Sequence, residues 1–144
     1  MPAVRTPRET VTELHQRISA SRWDELAELY AADTVVDIVF AKPVAGHAEG
    51  RESLAEHFAP LVAGGLQLKI ENTVLHETAD PEVVVAEYES VVTVGGNSVR
   101  AANVQVVRVR DGLIATSRDY HDHVAIAAAS GRLEEMLAGV KAAA

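Results

Sequence analysis

The second half of the chain contains four long runs with the composition of β-strands. Short turn sequences, Ala-Asp-Pro, Gly-Gly-Asn and Asp-Gly, separate the runs LQLKIENTVLHET, EVVVAEYESVVTV, SVRAANVQVVRVR and LIATSRDYH. β-Branched residues favour an extended backbone, and turns this short join neighbouring antiparallel strands. The sequence therefore predicts an antiparallel meander of four strands.

The beginning of the chain has helical periodicity. Pro7–Ser19 suits an amphipathic helix, with Thr6 as its N-cap and Glu9 completing a capping box. A second helix is predicted over Ser21–Ala31, because apolar residues recur there at helical spacing. The chain is thus expected to begin with two consecutive helices.

The middle of the chain mixes both patterns. Asp33–Phe40 is β-branched and predicts a short strand, while the following AKPVAGHAEG predicts a loop. GRESLAEHFAPLVAGG predicts a third helix, whose apolar face would carry Leu54, His57, Phe58, Leu61 and Val62. With a last helix over about residues 122–140, the order of elements predicts an α+β fold with helices on one face of the sheet.

Composition limits the classes of protein that the chain can belong to. At 144 residues we expect a single domain over residues 1–144, with an ordered core of about 7–139. There is no cysteine, which excludes disulfides and thiolate chemistry. A formal charge of -8 disfavours nucleic acid and anionic membranes as partners. No signal peptide or membrane-spanning run is recognisable, so we expect a cytoplasmic protein.

Strand alternation predicts which polar side chains enter the interior. In NVQVVRVR the two arginines must face solvent, so Asn103 and Gln105, which have the opposite parity, face inward. In SRDYHD the exposed Arg118 leaves Asp119 and His121 on the inner face. Polar groups from two neighbouring strands should therefore meet inside the fold.

The order of motifs resembles a known superfamily. ELYAAD, TVVDIVFAKP, EGRESLAEHF, HETADPEVVVAEYE, VVRVRDGLI and SRDYHDHVAI are similar to the SnoaL-like branch of the nuclear-transport-factor-two-like superfamily, over about Glu9 to Leu137. The resemblance implies a cone-shaped, curved antiparallel sheet with helices packed on its concave face, as in a cystatin-like α+β barrel. It also implies an apolar cavity for a small molecule and a homodimer through the outer face of the sheet.

Within this superfamily the chain departs from the ketosteroid isomerases. The positions that carry their tyrosine and two aspartates are occupied by Leu14, Ile38 and Gln105. GRESLAEH and SRDYHD instead resemble the phenazine-biosynthesis A/B proteins, which use acid/base chemistry to form an imine. That resemblance implies an acid/base pair of His57 and Asp119, with aspartate here in place of the family's glutamate.

We expect Asp119 to be the central catalytic residue. A carboxylate among valines on an inner face is removed from water, which suits a group that exchanges protons near neutral pH. Its partner would be His57 or His121, and Gln105 and Asn103 would orient a substrate oxygen. Three further side chains are expected to line the pocket: Tyr88, Ile38 and Phe58.

A metal site is the alternative interpretation of SRDYHDH. Asp119, His121 and His123 would share one face if the strand continued through them. We expect instead that Asp122 caps the last helix, which would turn His123 out of the pocket. The prediction is therefore no metal and no other cofactor.

These observations favour a small enzyme that acts on a carbonyl-bearing hydrophobic or aromatic metabolite. The reaction would be an isomerisation, cyclisation, dehydration or condensation beside the carbonyl. The alternative is a non-catalytic binding or dimerisation domain of the same fold. Epoxide hydrolysis is a third possibility, although no inward-facing arginine is evident for it.

Overall fold

The computed structural model describes residues 3–144, except for the side chain of Leu61. Its helices and strands, in chain order, are α1 Pro7–Ser19, β1 Tyr30–Ile38, β2 Gly46–Glu49, α2 Arg51–Ala63, β3 Gln67–Glu77, β4 Val83–Val94, β5 Asn97–Arg110, β6 Leu113–His121, α3 His123–Ala129 and α4 Leu133–Ala143. None of these helices is both long and apolar enough to cross a membrane.

The strands form one curved sheet in the order β2-β1-β6-β5-β4-β3. Strands β3, β4, β5 and β6 pair antiparallel with one another in chain order, which confirms the predicted meander. Strand β1 joins the sheet parallel to β6 and antiparallel to β2. The α+β class and the cone shape are therefore confirmed, whereas β2 lies in a segment predicted to be a loop.

Helix α1 begins as predicted. Thr6 Oγ1 accepts from the Glu9 amide at 3.2 Å, and Glu9 Oε2 accepts from the Thr6 amide at 2.9 Å. These two bonds satisfy amides that a helix start leaves free. The helix then buries Val11 and Leu14 in the core.

The predicted helix over Ser21–Ala31 is wrong. Two 3-10 turns, Trp23–Glu25 and Ala27–Leu29, occupy this segment, and β1 already begins at Tyr30. The buried side chains Trp23, Leu26 and Leu29 recur every three residues, which matches the three-residue turn of a 3-10 helix better than an α-helix. Ser21 also has a φ of 58°, outside helical geometry.

The last predicted helix is divided in two. Asp122 caps α3 as expected, because its Oδ1 accepts from the Ala125 amide at 3.1 Å. The chain then turns through Gly131, whose φ is 68°, before α4 begins. That left-handed conformation ends the first helix and redirects the second.

The apolar face predicted for α2 is only partly correct. Leu54 is buried and Phe58 is half-buried against the core, but His57 and Val62 are exposed. The helix therefore contacts the core only through Leu54 and Phe58, which lie one turn apart, and its later part leaves the core. The side chain of Leu61 lies outside the described part of the structure.

Candidate active site

Asp119 lies on the inner face of β6 and is 8% exposed. Its Oδ1 accepts from Gln105 Nε2 at 3.2 Å and from Ser117 Oγ at 2.5 Å. Within the described residues no arginine contacts Asp119 and no group donates to Oδ2. One carboxylate oxygen is thus held by the protein, and the other has no partner in the described part of the chain.

His15 is hydrogen-bonded to the oxygen of the Gln105 side-chain amide. The sequence-based prediction of the site missed this residue. Its Nε2 lies 2.8 Å from Gln105 Oε1, and its Nδ1 lies 3.3 Å from Thr73 Oγ1. Burial lowers the pKa of His15, although the Gln105 bond and Asp119 oppose that effect. A neutral ring that donates from Nε2 to the amide oxygen and accepts from Thr73 satisfies every contact.

The signal for His15 was present in the sequence. Val11 lies four residues before it and Ile18 three residues after it, so His15 belongs to the stripe of α1 that faces the core. A histidine on such a stripe requires polar partners from the opposite sheet. Gln105 and Thr73 supply them.

Two buried tyrosines lie within electrostatic reach of Asp119. Burial raises the pKa of Tyr30, and Asp119 raises it further. Burial likewise raises the pKa of Tyr88 well above its usual value, with Asp119 and Tyr30 adding to the shift. Both phenols therefore keep their protons at neutral pH and can act as hydrogen-bond donors. Tyr30 was missed because its segment was predicted to be helical.

His121 connects this cluster to the end of β6. Its Nε2 lies 3.4 Å from the Tyr88 hydroxyl, and burial lowers its pKa while Asp119 opposes the shift. Alternation along the strand places its side chain roughly 7 Å from that of Asp119 on the same face. Asp119, Tyr88 and His121 are thus brought together, as the strand parity predicted.

The amide groups of the cluster are already engaged within the protein. Asn103 Nδ2 donates to Ser90 Oγ at 2.7 Å and to the Ala101 carbonyl at 3.1 Å. Gln105 bridges His15 and Asp119. Both residues are buried, as predicted, while their contact with a substrate oxygen stays a prediction.

Three other predicted site residues differ in their relation to Asp119. Ile38 is half-buried and pairs in register with Asp119 across β1 and β6. Phe58 is half-buried, with its ring 6.4 Å from that of Trp23. His57 is exposed and lies edge-on to Phe58, with ring centroids 6.2 Å apart. The expectation that His57 faces the interior is therefore wrong, because α2 turns only its Leu54 and Phe58 side inward.

His123 was predicted to turn out of the pocket of Asp119, and it lies at the first turn of α3, where it lines a different cavity. Its ring centroid lies 5.7 Å from that of His121, and its buried Nε2 has no hydrogen-bond partner among the described residues. It forms part of the wall of a cavity of about 660 Å³. This cavity, which we call the mouth cavity, lies between α3, α4, the end of α2 and the Lys42-Pro43 turn.

The acidic and imidazole groups of this region do not form a metal centre in the described part of the chain. No three His, Asp or Glu side chains there are placed to hold one ion. The groups present can instead exchange protons and donate hydrogen bonds. A carboxylate with a free oxygen beside two protonated phenols suits removal of a proton and stabilisation of the negative oxygen that results.

The curved sheet, its inner-face carboxylate and the covering helices define a cone-fold protein with an interior polar site. Residues 11–117 match the SnoaL-like domain family. A curated relative, an uncharacterized PhzA/B-like protein of Pseudomonas aeruginosa, is 31% identical over 120 residues, covering 81% of this chain and 79% of the relative. The chain belongs to the SnoaL-like domain family, as its motifs predicted.

Solved structures support the same fold. A Bacillus subtilis protein proposed to be an isomerase is similar with a TM-score of 0.80 and 21% identity, over 88% of this chain and 93% of that one. An LEH-like epoxide hydrolase from M. tuberculosis is similar with a TM-score of 0.65 and 19% identity, over 92% of this chain and 90% of the hydrolase. At these identities the likeness concerns the fold alone.

Proposed function

We propose that this protein is a small enzyme that moves a proton at a carbon beside a carbonyl group of a hydrophobic or aromatic metabolite. The observation that carries the proposal is the state of Asp119. Gln105 and Ser117 hold its Oδ1, whereas Oδ2 has no partner among the described residues. Such a carboxylate is oriented yet still able to accept a proton.

The chemistry follows from the groups around Asp119. Oδ2 takes a proton from the carbon, the electrons of the broken C–H bond pass to the carbonyl oxygen, and an enolate forms. Tyr88 or Tyr30 donates a hydrogen bond to that oxygen, because both phenols are protonated. Return of the proton to a different atom gives an isomerisation, while loss of a leaving group gives a dehydration.

His121 is the better candidate for the acid/base partner of Asp119. It shares the inner face and contacts Tyr88, whereas His57 is exposed on α2. Burial lowers the pKa of His121, so a neutral ring is present at neutral pH to accept or relay a proton. The chain's own side chains supply every step, so the proposal includes no cofactor.

The second candidate is a non-catalytic binding or dimerisation domain. The engaged amides of Asn103 and Gln105 favour it, because neither needs a reacting ligand to be satisfied.

The main proposal also includes the location and assembly of the protein: a single domain in the cytoplasm that forms a homodimer through the outer face of its sheet. Half-buried valines and exposed Val74 on that face support the dimer.

Exchange of carbon-bound hydrogen for deuterium tests the proposal without knowledge of the natural substrate. Parent protein in D₂O should accelerate exchange beside the carbonyl of 2-tetralone and related ketones, followed by NMR. Asp119→Asn should lose at least about a hundredfold of that acceleration while binding the ketone as before. Asp33→Asn, a matched change at an exposed position of β1, should keep the parent rate.

Two results would contradict the proposal. Exchange at the buffer rate with the parent protein, combined with ketone binding, would support the binding domain. Full exchange by the Asp119→Asn variant would remove Asp119 from the mechanism.

A further inference from the structure

His15 contacts two different parts of the site. Its Nε2 lies 2.8 Å from Gln105 Oε1, and the amide of Gln105 in turn donates to Asp119 Oδ1. The imidazole also packs on the ring of Tyr88, with the ring centroids 4.5 Å apart and the planes tilted by 53°. A single side chain of α1 therefore touches both the amide that orients the carboxylate and one of the two buried phenols.

The partners of Gln105 determine which way its amide points. An ionised carboxylate offers only acceptors, so the amide must present its NH₂ group to Asp119 and its oxygen to α1. That oxygen needs a donor, and Nε2 of His15 lies within reach of it. If the only ring proton were on Nδ1, the amide would reverse and its oxygen would face Asp119 Oδ1, with two acceptors 3.2 Å apart. The position of the proton on His15 and the orientation of Asp119 are therefore linked.

The environment of His15 keeps its ring in place. The residue is 6% exposed, and both ring nitrogens have partners. Burial lowers its pKa, although the Gln105 bond and Asp119 oppose that effect, so the ring is neutral at neutral pH. With the proton on Nε2, the other nitrogen accepts from Thr73 Oγ1 at 3.3 Å. A buried polar group with every bond made has little freedom to turn.

A β-bulge in β3 brings Thr73 to this ring. The register between β3 and β4 shifts here, so that Asn72 and Thr73 together oppose Tyr88. Asn72 has a φ of 56°, a left-handed conformation that asparagine adopts more readily than most residues. Bulges of this kind redirect side chains and are frequent beside functional sites. This one places the Thr73 hydroxyl at His15 Nδ1, next to the strand that carries Tyr88.

We propose that His15 is a positioning residue for the proton transfer. It fixes the Gln105 amide, and through that amide Asp119, and it also holds the ring of Tyr88. The inference rests on the proposed function and adds a residue of α1 to it. With Oδ1 bonded to the amide and to Ser117, the carboxylate keeps Oδ2 for the substrate carbon. Because His15 acts through other side chains, its loss should slow proton transfer more than it weakens ketone binding.

The protonated nitrogen of His15 can be identified in the parent protein without any ketone. NMR of nitrogen-labelled protein at neutral pH distinguishes a ring nitrogen that carries hydrogen from one that does not. The signals of His15 are those that disappear in His15→Gln. We expect the proton on Nε2, since only that form donates to Gln105 Oε1. A proton on Nδ1 alone would overturn the inference.

Two substitutions separate the hydrogen bond of His15 from its packing. His15→Phe keeps a ring beside Tyr88 but removes the donor to Gln105, so kcat for deuterium exchange into 2-tetralone should fall on the order of tenfold, with KM changed by less than about twofold. His15→Gln keeps a side-chain N–H donor and should recover most of that kcat. Gln16→Phe, at the next and exposed position of α1, is the matched control and should keep the parent kcat.

Urea unfolding establishes that each variant is folded under the assay conditions, and the position of the proton in the parent decides the question if His15→Phe is not. An unchanged kcat in His15→Phe, or a fall in His15→Gln as large as in His15→Phe, would overturn the positioning role alone. A parent protein that carries the proton on Nε2 but exchanges no ketone would reject the proposed function alone.

Discussion

Gln105 and Asp119 face each other in register across β5 and β6, and the amide of Gln105 donates to Asp119 Oδ1 at 3.2 Å. The other end of the same amide reaches His15 on α1. The Gln105 side chain therefore links the Asp119 carboxylate both to the sheet and to helix α1. The orientation of Asp119 depends on how the helix packs on the sheet.

Replacing Gln105 by leucine tests this link. Gln105→Leu leaves His15 Nε2 without its partner and removes one donor from Asp119, in a buried environment. We expect the free energy of unfolding to fall by about 1–3 kcal/mol, which urea denaturation would measure. Gln67→Leu, at an exposed position of β3, should change it by less than about 0.5 kcal/mol. Equal effects of the two variants would contradict the buried link.

The stability of the protein should decrease as the pH falls below about 6.5. Burial lowers the pKa of His15, His121 and His123, so the unfolded chain binds more protons than the folded chain in this range. The stabilisation is complete above the unfolded pKa and is lost as pH falls through the lowered folded pKa. Urea unfolding between pH 7.5 and 5 would measure the slope.

Two variants measure how much individual histidines contribute to the change of unfolding free energy with pH. His15→Gln should reduce it by up to about 1.4 kcal/mol per pH unit, the maximum for one group. His47 is exposed, and its pKa is raised by Asp37 and Glu49. Its contribution is present at low pH and is lost as pH rises, so His47→Gln should make the acid-induced loss steeper. An unchanged slope in His15→Gln would show that folding does not lower the pKa of His15.

The capping box of α1 should contribute measurable stability. Thr6→Ala removes the oxygen that accepts from the Glu9 amide, at an expected cost of about 1 kcal/mol in thermal or urea unfolding. Thr12→Ala lies on the exposed side of the same helix and should be neutral or slightly stabilising, because alanine favours helices. A loss of similar size in both variants would contradict a specific contribution of the cap.

The turn between β5 and β6 should tolerate alanine less well than the turn between β4 and β5. Gly112 and Gly96 both have positive φ, 77° and 85°, so alanine strains either one by roughly 1–2 kcal/mol. At Gly112 the new Cβ would also lie 2.8 Å from Val4 Cγ1, whereas nothing lies within 4 Å at Gly96. Gly112→Ala should therefore unfold at lower urea concentration than Gly96→Ala, and the reverse order would contradict this contact.

The sequence was sufficient to predict which side chains of β5 and β6 face the interior. Exposed arginines on those strands fixed the parity, and alternation then placed Asn103, Gln105 and Asp119 inside. The parallel partner β1 was harder to delimit, because its first residue follows a 3-10 turn that resembles an α-helical pattern. Tyr30 was lost from the predicted site for that reason.

The remaining errors concern histidines on helices. His15 and His57 are each flanked by apolar residues at helical spacing, so periodicity alone does not distinguish them. Only the packing of each helix shows that the first is buried and the second is exposed. Which sheet residues face a helix depends on curvature and register, and neither can be obtained from a single segment.

The parallel pairing of β1 with β6 also determines when the site can form. Thr34 Oγ1 donates to the Ile114 carbonyl across a separation of 80 residues, whereas the meander is joined by short turns. Closing such a long loop costs more chain entropy than forming a hairpin, so the meander should form first and β1 should dock last. On the ribosome, Tyr30 cannot approach Asp119 until the last strand has emerged. A nascent chain that has not yet released β6 therefore cannot contain the paired Tyr30 and Asp119 environment, because that environment joins the first strand of the sheet to the last.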